Sequence, residues 1–258
     1  MANLEEASKR LAELIEKNVS RAIQRIVTEI DTDEALEQAN VLNNLPDALV
    51  EANFEDVAQR LEELFAEELE AIRTEFRTRL NTDVTYSDVD ATLITGLLDS
   101  YEQATFATIR EVGIDLQAEL TRQVITGQTI NIDDFYDTLS ARTFRNLATE
   151  IETATSAMSR AVTARKADEA GLTYYRYFGP NDSVTRPFCD YVLGDVATLP
   201  KRVAVPVQRN SRVYTRDEIE QMSNGQNLDV LTYCGGWNCR HQWRPITEEE
   251  AKRLGYPS

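Results

Sequence analysis

Reactive side chains are scarce in this chain of 258 residues, which has three cysteines, one histidine, two tryptophans and three methionines. Three cysteines are too few, and odd in number, for a disulfide scaffold. A single histidine excludes sites built from several, such as those of HNH-type nucleases. No apolar run approaches the ~18–20 residues that a membrane-crossing helix needs. The opening MANLEEASKRLAELIEK is acidic and amphipathic and lacks the basic and apolar regions of a secretory signal. The expected compartment is therefore the cytosol, or a particle assembled there, with no membrane partner. G-x-S-x-G, Walker A, G-x-G-x-x-G, H-E-x-x-H and the zinc-deaminase pattern are all missing. No nucleophile, base and orienting group can be assembled by name, and the chain is not expected to be an enzyme.

Basic residues are also in short supply, but only in one part of the chain. Residues 171–258 hold 11 Lys/Arg and 10 Asp/Glu, whereas residues 1–170 hold 16 against 34. Nearly all of the net charge of −17 therefore comes from the N-terminal two-thirds. Affinity for phosphate backbones depends on Lys and Arg displacing counterions, so specific nucleic-acid binding is not expected there. The plain meaning of such acidity is solubility of a helical array. Its sharper meaning is avoidance of nucleic acid in a place rich in DNA.

Proline and glycine are nearly absent before residue 171. Six of seven prolines and seven of ten glycines lie from there on, with every Cys, His and Trp. Two regions follow: an acidic long-helix region over 1–170 and a small α+β module over 171–258. In residues 4–30, Leu11, Leu14, Ile15, Val19, Ala22 and Ile23 recur at helical spacing, and Asn3 with Glu6 forms a capping signature. Short helical pieces are expected around 32–40 and 46–52. A long helix then follows over 53–80 with Asn53 as its cap, striped by Phe54, Val57, Leu61, Leu64, Phe65, Leu69, Ile72, Phe76 and Leu80. Further helices are expected over 87–126, with Gly96 and Gly113 as kinks, and over 132–170, opened by Asn131 after a TGQTIN loop. Helices with one apolar stripe bury it against each other or a partner, so an elongated bundle is expected, followed by a compact Cys/His-containing domain.

In the C-terminal module the period changes. TYYRYF (173–178) alternates like a strand, and Pro180-Asn181-Asp182 reads as a turn. VAVPV (203–207), SRVY (211–214) and QWRPI (242–246) are strand candidates, and TRDEIEQM (215–222) and TEEEAKRLG (247–255) short helices. At about 85 residues, such a module is near the size at which a core alone is marginal and a metal or partner often helps.

Within it, YCGGWNCRHQW (233–243) gathers two cysteines, the one histidine and both tryptophans. Cys189, Cys234, Cys239 and His241 together make a Cys₃His set, a standard donor set for a closed tetrahedral Zn²⁺ site. Gly235-Gly236 allows a tight loop between two of the sulfurs, and Cys239 and His241, two apart, share one face of a strand. Two other readings stay open: small thiols packed beside a hydrogen-bonded histidine, or a Cys234–Cys239 disulfide, which a reducing cytosol disfavours. A cysteine nucleophile, Cys189 or Cys239, with His241 as base is a further alternative, without a family signature around it. Trp237 and Trp243, beside Arg240 and Arg244, could stack on bases. Aromatic rings with arginines packed over them more often make the core of a small module.

Two runs in this module resemble the C-terminal module of phage Mu-type head morphogenesis proteins, the minor head proteins of tailed phages. One is an Asp-x-x-Thr-Arg-x-x-Cys run at Asp182, Thr185, Arg186 and Cys189; the other is Asn-Cys-Arg-His at Asn238, Cys239, Arg240 and His241. The G-Q-T loop at Gly127 and the Thr-rich helix 143–165 before Ala170-Gly171 fit the same layout, so the resemblance spans mainly 127–246. The family often ends its second run in Cys-Arg-Cys; here it ends in Cys-Arg-His, and either residue can ligate a metal. The resemblance implies a structural protein of the virion. It would be present in a few copies at the portal vertex, bind the portal or the major capsid protein, form a homo-oligomer in the particle and assist head assembly or DNA delivery. A head–tail connector and a small metal- or thiol-dependent enzyme are the alternatives.

Overall fold

The computed structural model describes residues 2–30, 35–126, 132–181, 185–194, 207–222, 229–234, 236 and 239–256; the side chains of 2–5, 7–8, 26–30, 35–41, 124, 132–146 and 207–210 lie outside what it describes. The chain is mainly α-helical, with a three-stranded antiparallel sheet in its C-terminal part. Four long helices come first: α1 (Ala2–Ile30), α2 (Ala35–Arg79), α3 (Asp88–Thr126) and α4 (Ile132–Glu169). Then follow β1 (Tyr174–Asn181), α5 (Pro187–Leu193), β2 (Val207–Thr215), α6 (Arg216–Gln221), α7 (Val230–Tyr233), β3 (Gln242–Ile246) and α8 (Glu248–Arg253). None of the described helices is long and apolar enough to cross a membrane.

The chain forms two compact units, Met1–Ala66 with Thr92–Ala154, and Glu67–Ala91 with Thr155–Ser258. The change of composition near residue 171 does not coincide with this division, because α2, α3 and α4 each supply a stretch to both units. In the first unit, the apolar stripes meet as expected of amphipathic helices. Leu11, Ile15 and Val19 of α1 pack with Leu45, Leu49 and Leu61 of α2, with Ile109 and Leu116 of α3, and with Leu147 and Ile151 of α4. Phe54, expected in the core stripe, is instead half exposed, and its ring stacks on Phe106 at 5.1 Å.

Two expectations about the helices are corrected. The two short pieces and the helix from Asn53 are one continuous α2. Asn53 does not cap it: the side chain is fully buried and donates to the Leu49 carbonyl one turn back, at 2.8 Å. Pro46 lies inside α2 although its ring removes one backbone donor. α3 runs through Gly113, and there it meets Pro46, since a Cβ would come 2.5 Å from the Pro46 Cα. At the start of α1, Glu6 pairs with Arg10 one turn on, and the helix already includes Asn3, whose side chain lies outside the described residues. The TGQTIN loop beyond Thr126 and the Asn131 cap also lie outside them.

In the second unit the sheet order is β2-β1-β3. β1 is longer than expected, running through Pro180 and Asn181 and pairing them with Gln208 and Val207. Proline fits there because β3 reaches only to Phe178, so beyond it β1 has a single neighbour. The β1–β2 register slips between Arg176 and Phe178, and β2 carries one extra residue opposite Tyr177. Ser211, at that bulge, accepts the Tyr177 backbone N–H at 2.8 Å. The short helices α6 and α8 form where expected, opened by the side chains of Thr215 and Thr247. Residues 203–206 of the VAVPV strand lie outside the described residues.

Candidate metal centre

Alternation along β1 sends Tyr175, Tyr177 and Gly179 to one buried face. Trp243 of β3 stands opposite Tyr177. His241 comes just before β3 and packs over Gly179, where a Cβ would lie 2.7 Å from its Cγ and 3.0 Å from its Cα. The Tyr177 ring stacks on the imidazole, nearly parallel at 6° with centroids 5.3 Å apart. Cys189 enters from α5, where Pro187 sits at the first turn, a position that needs no backbone donor. Cys239 follows a tight loop: Gly236 (φ +93°) donates to the Tyr233 carbonyl at 2.7 Å, and Cys239 N–H donates to the Gly236 carbonyl at 3.1 Å. Gly235, Trp237 and Asn238 lie outside the described residues.

Cys189, Cys239 and His241 are all buried, and their donor atoms lie within 4.8 Å of one another. The sulfurs are 3.6 Å apart, and Cys239 Sγ is 3.9 Å from His241 Nδ1. A tetrahedral ion with metal–sulfur bonds of about 2.3 Å and metal–nitrogen bonds of about 2.0–2.1 Å sets these edges at about 3.8 and 3.6 Å. The three side chains thus form a buried group that could hold a metal ion. The other imidazole nitrogen, Nε2, is buried without a hydrogen-bond partner. Packing against Tyr177 and Gly179, with the contact from Nδ1 to Cys239 Sγ, therefore holds the ring in place.

The fourth expected ligand, Cys234, stands outside that group. It is buried at the end of α7 with a positive φ (+49°), and its Sγ points to the Leu231 carbonyl at 3.7 Å. All three cysteines are free thiols, so the Cys234–Cys239 bridge is not formed. The thiols differ in character. Donation from Cys189, with further hydrogen bonds from His241 and Tyr177, outweighs burial and holds the Cys239 thiol well below its ordinary range. The same contact, with burial, pushes Cys189 up. Burial pushes Cys234 up to about 12.

Three residues that the sequence did not single out complete the surroundings. Tyr177, fully buried, places its hydroxyl 3.3 Å from Cys189 Sγ and 3.7 Å from Cys239 Sγ. Burial pushes its phenol far up. Arg160 of α4, itself buried, donates to the carbonyls of Thr232 at 3.1 Å and Cys239 at 2.8 Å, clamping the loop that carries Cys239. Gly179 makes room for His241. Trp243 is core: it sits edge-on to Tyr214 at 5.4 Å, and its N–H donates to the Val230 carbonyl at 3.1 Å. Arg244 lies over the ring of Phe178 at 3.8 Å, and not over a tryptophan.

Comparison with known families, characterised proteins and solved structures finds no match.

Proposed function

We propose that this chain is a minor head, or head-morphogenesis, protein of a tailed phage. It would bind the portal or the major capsid protein at the vertex, as one of several copies, and assist head assembly or DNA delivery. The reading rests on the two motifs that carry the resemblance. They are some fifty residues apart in sequence, and their cysteines, Cys189 and Cys239, meet at 3.6 Å. Two distant runs that share one buried centre behave as a single structural signature, which chance similarity in either run would not require. In this reading Cys189, Cys239 and His241 hold a zinc ion that ties α5, the 234–239 loop and the entrance to β3 together. Thiolate and imidazole donors suit zinc, and burial of all three suits a closed structural site more than an open catalytic one.

The test is purification of virions and procapsids from cells producing the particle. The protein is expected in both, at a copy number well below that of the major capsid protein, and in pull-downs with the portal. Its absence from both particles would overturn the reading. Elemental analysis of the purified chain checks the metal separately, with close to one zinc per chain expected for a single closed site.

A further inference from the structure

Three donors leave a closed tetrahedral site one short. We propose that the hydroxyl oxygen of Tyr177 supplies the fourth, making the centre Cys₂HisTyr and leaving Cys234 as a packed thiol. This inference rests on the reading of the cluster as a metal site.

The argument is geometric. An oxygen donor at about 2.0–2.2 Å from a tetrahedral ion lies about 3.5–3.7 Å from sulfurs bound at about 2.3 Å. Tyr177 Oη lies 3.3 Å from Cys189 Sγ and 3.7 Å from Cys239 Sγ. With the sulfur–sulfur edge of 3.6 Å and the sulfur–nitrogen edge of 3.9 Å, four edges of one tetrahedron are present to within about 0.3 Å of their ideal lengths. Cys234 offers no such set: its sulfur is not within 4.8 Å of all three partners.

Tyr177 is also held for the part. The β2 bulge fixes its backbone through Ser211, and its ring packs against His241 at 5.3 Å and Trp243 at 4.7 Å. A hydroxyl so fixed needs no rearrangement to reach a cation placed among the sulfurs. On binding, a dication takes the place of the phenolic proton and of the Cys189 thiol proton, both of which leave to solvent, and oxygen–metal and sulfur–metal bonds replace the oxygen–hydrogen and sulfur–hydrogen bonds.

The full chain, stripped of metal, is titrated with zinc and with cobalt(II), as wild type, Cys234→Ser and Tyr177→Phe. Zinc is expected to raise the tyrosinate band in the ultraviolet difference spectrum of wild type and Cys234→Ser, and not of Tyr177→Phe. Cobalt is expected to give the same sulfur-to-metal charge-transfer intensity in wild type and Cys234→Ser, because two thiolates bind in each. Tyr177→Phe is expected to lower cobalt affinity at least about 10-fold, the low end of what loss of a metal's supporting partner costs. A one-third loss of charge-transfer intensity in Cys234→Ser would overturn the proposal in favour of a Cys₃His site. Zinc binding by wild type with no tyrosinate band would also overturn it, whether or not Tyr177→Phe folds. No binding of either ion by wild type would overturn the metal reading itself.

Discussion

Gly179 carries a demand that its neighbours on β1 do not. His241 occupies the space a side chain would fill, and the nearest contacts include its backbone Cα at 3.0 Å, so the clash cannot be relieved by turning a flexible end. Gly179→Ala is expected to leave the sheet formed while displacing the imidazole from the sulfurs. The cost should be about 1–3 kcal/mol, typical of overpacking, in urea unfolding. Zinc affinity, measured against a chromophoric chelator, should fall at least about 10-fold. Unchanged affinity with a folded variant would show that His241 does not bind the ion. Why Cys189, Cys239 and His241 were legible in the sequence, and Tyr177, Gly179 and Arg160 were not, follows from chemistry and abundance. Three cysteines and one histidine are conspicuous in 258 residues, whereas Tyr177 is one of ten tyrosines. Arg160 lies on a helix whose partners are backbone carbonyls of Thr232 and Cys239, and carbonyls leave no trace in a sequence pattern.

Between elements, charge decides more than stripes do at the start of α3. Ser87 and Asp90 form a reciprocal cap, each side chain taking the other's backbone N–H, at 3.3 and 2.6 Å. The same carboxylate receives Lys166 Nζ and Arg165 Nε of α4, each at 2.6 Å, and both Asp90 and Lys166 are about 1% exposed. Burial alone would push the Asp90 carboxyl up, but the hydrogen bonds from Lys166 and Ser87 together outweigh it and hold the group well below the usual carboxylate range. A folded-state pKa below the unfolded value means that the unfolded chain binds its proton first as pH falls. The stabilisation is therefore complete above about pH 5 and is lost as pH drops below about 4 toward the folded value. Asp90→Asn is expected to cost about 1.5–3 kcal/mol at pH 7, the loss of a charged hydrogen-bond partner, since Lys166 keeps its pairing with Glu169 at 2.7 Å, and to flatten the acid limb of stability against pH. Equal acid limbs in the two proteins would refute this account. The cap lay within the expected 87–126 helix, but the cross-helix pair was invisible because Asp90 and Lys166 are 76 residues apart. The break expected at Asn53 failed for a related reason. A side chain that caps when it stands outside a helix can instead bond one turn back inside it, and burial among Leu49 and its neighbours decides between them.

For the whole molecule, the sequence showed a boundary of composition near 171, while the compact units recruit residues 67–91 and 155–170 into the same body as the sheet. Composition records where prolines, glycines and cysteines begin. It does not record which helical turns a small sheet rests on, and the Arg160 clamp and the Asp90–Lys166 pair both lie in those recruited turns. This division makes the proposed zinc testable without any partner. No tryptophan occurs before residue 237, and Trp243, in the second unit, lies 4.7 Å from the Tyr177 ring. Tryptophan fluorescence therefore follows the unit that holds the cluster, whereas far-ultraviolet circular dichroism follows helices in both. A bound ion that the unfolded chain lacks stabilises by an amount that grows with the logarithm of its free concentration over its Kd, so removing it with a chelator must lower the transition of the unit that binds it. The fluorescence transition is expected to fall by at least about 5 °C on chelation, the shift that a loss of one to two kcal/mol produces in a domain of this size. The helical signal should fall by less, because α1 and much of the first unit's core gain nothing from the ion. Lowering the pH from 7 to 6 should weaken zinc retention in the same assay, since thiolates and a neutral imidazole are the binding forms. Coincident, chelator-insensitive transitions would leave Cys189, Cys239 and His241 as packing groups alone.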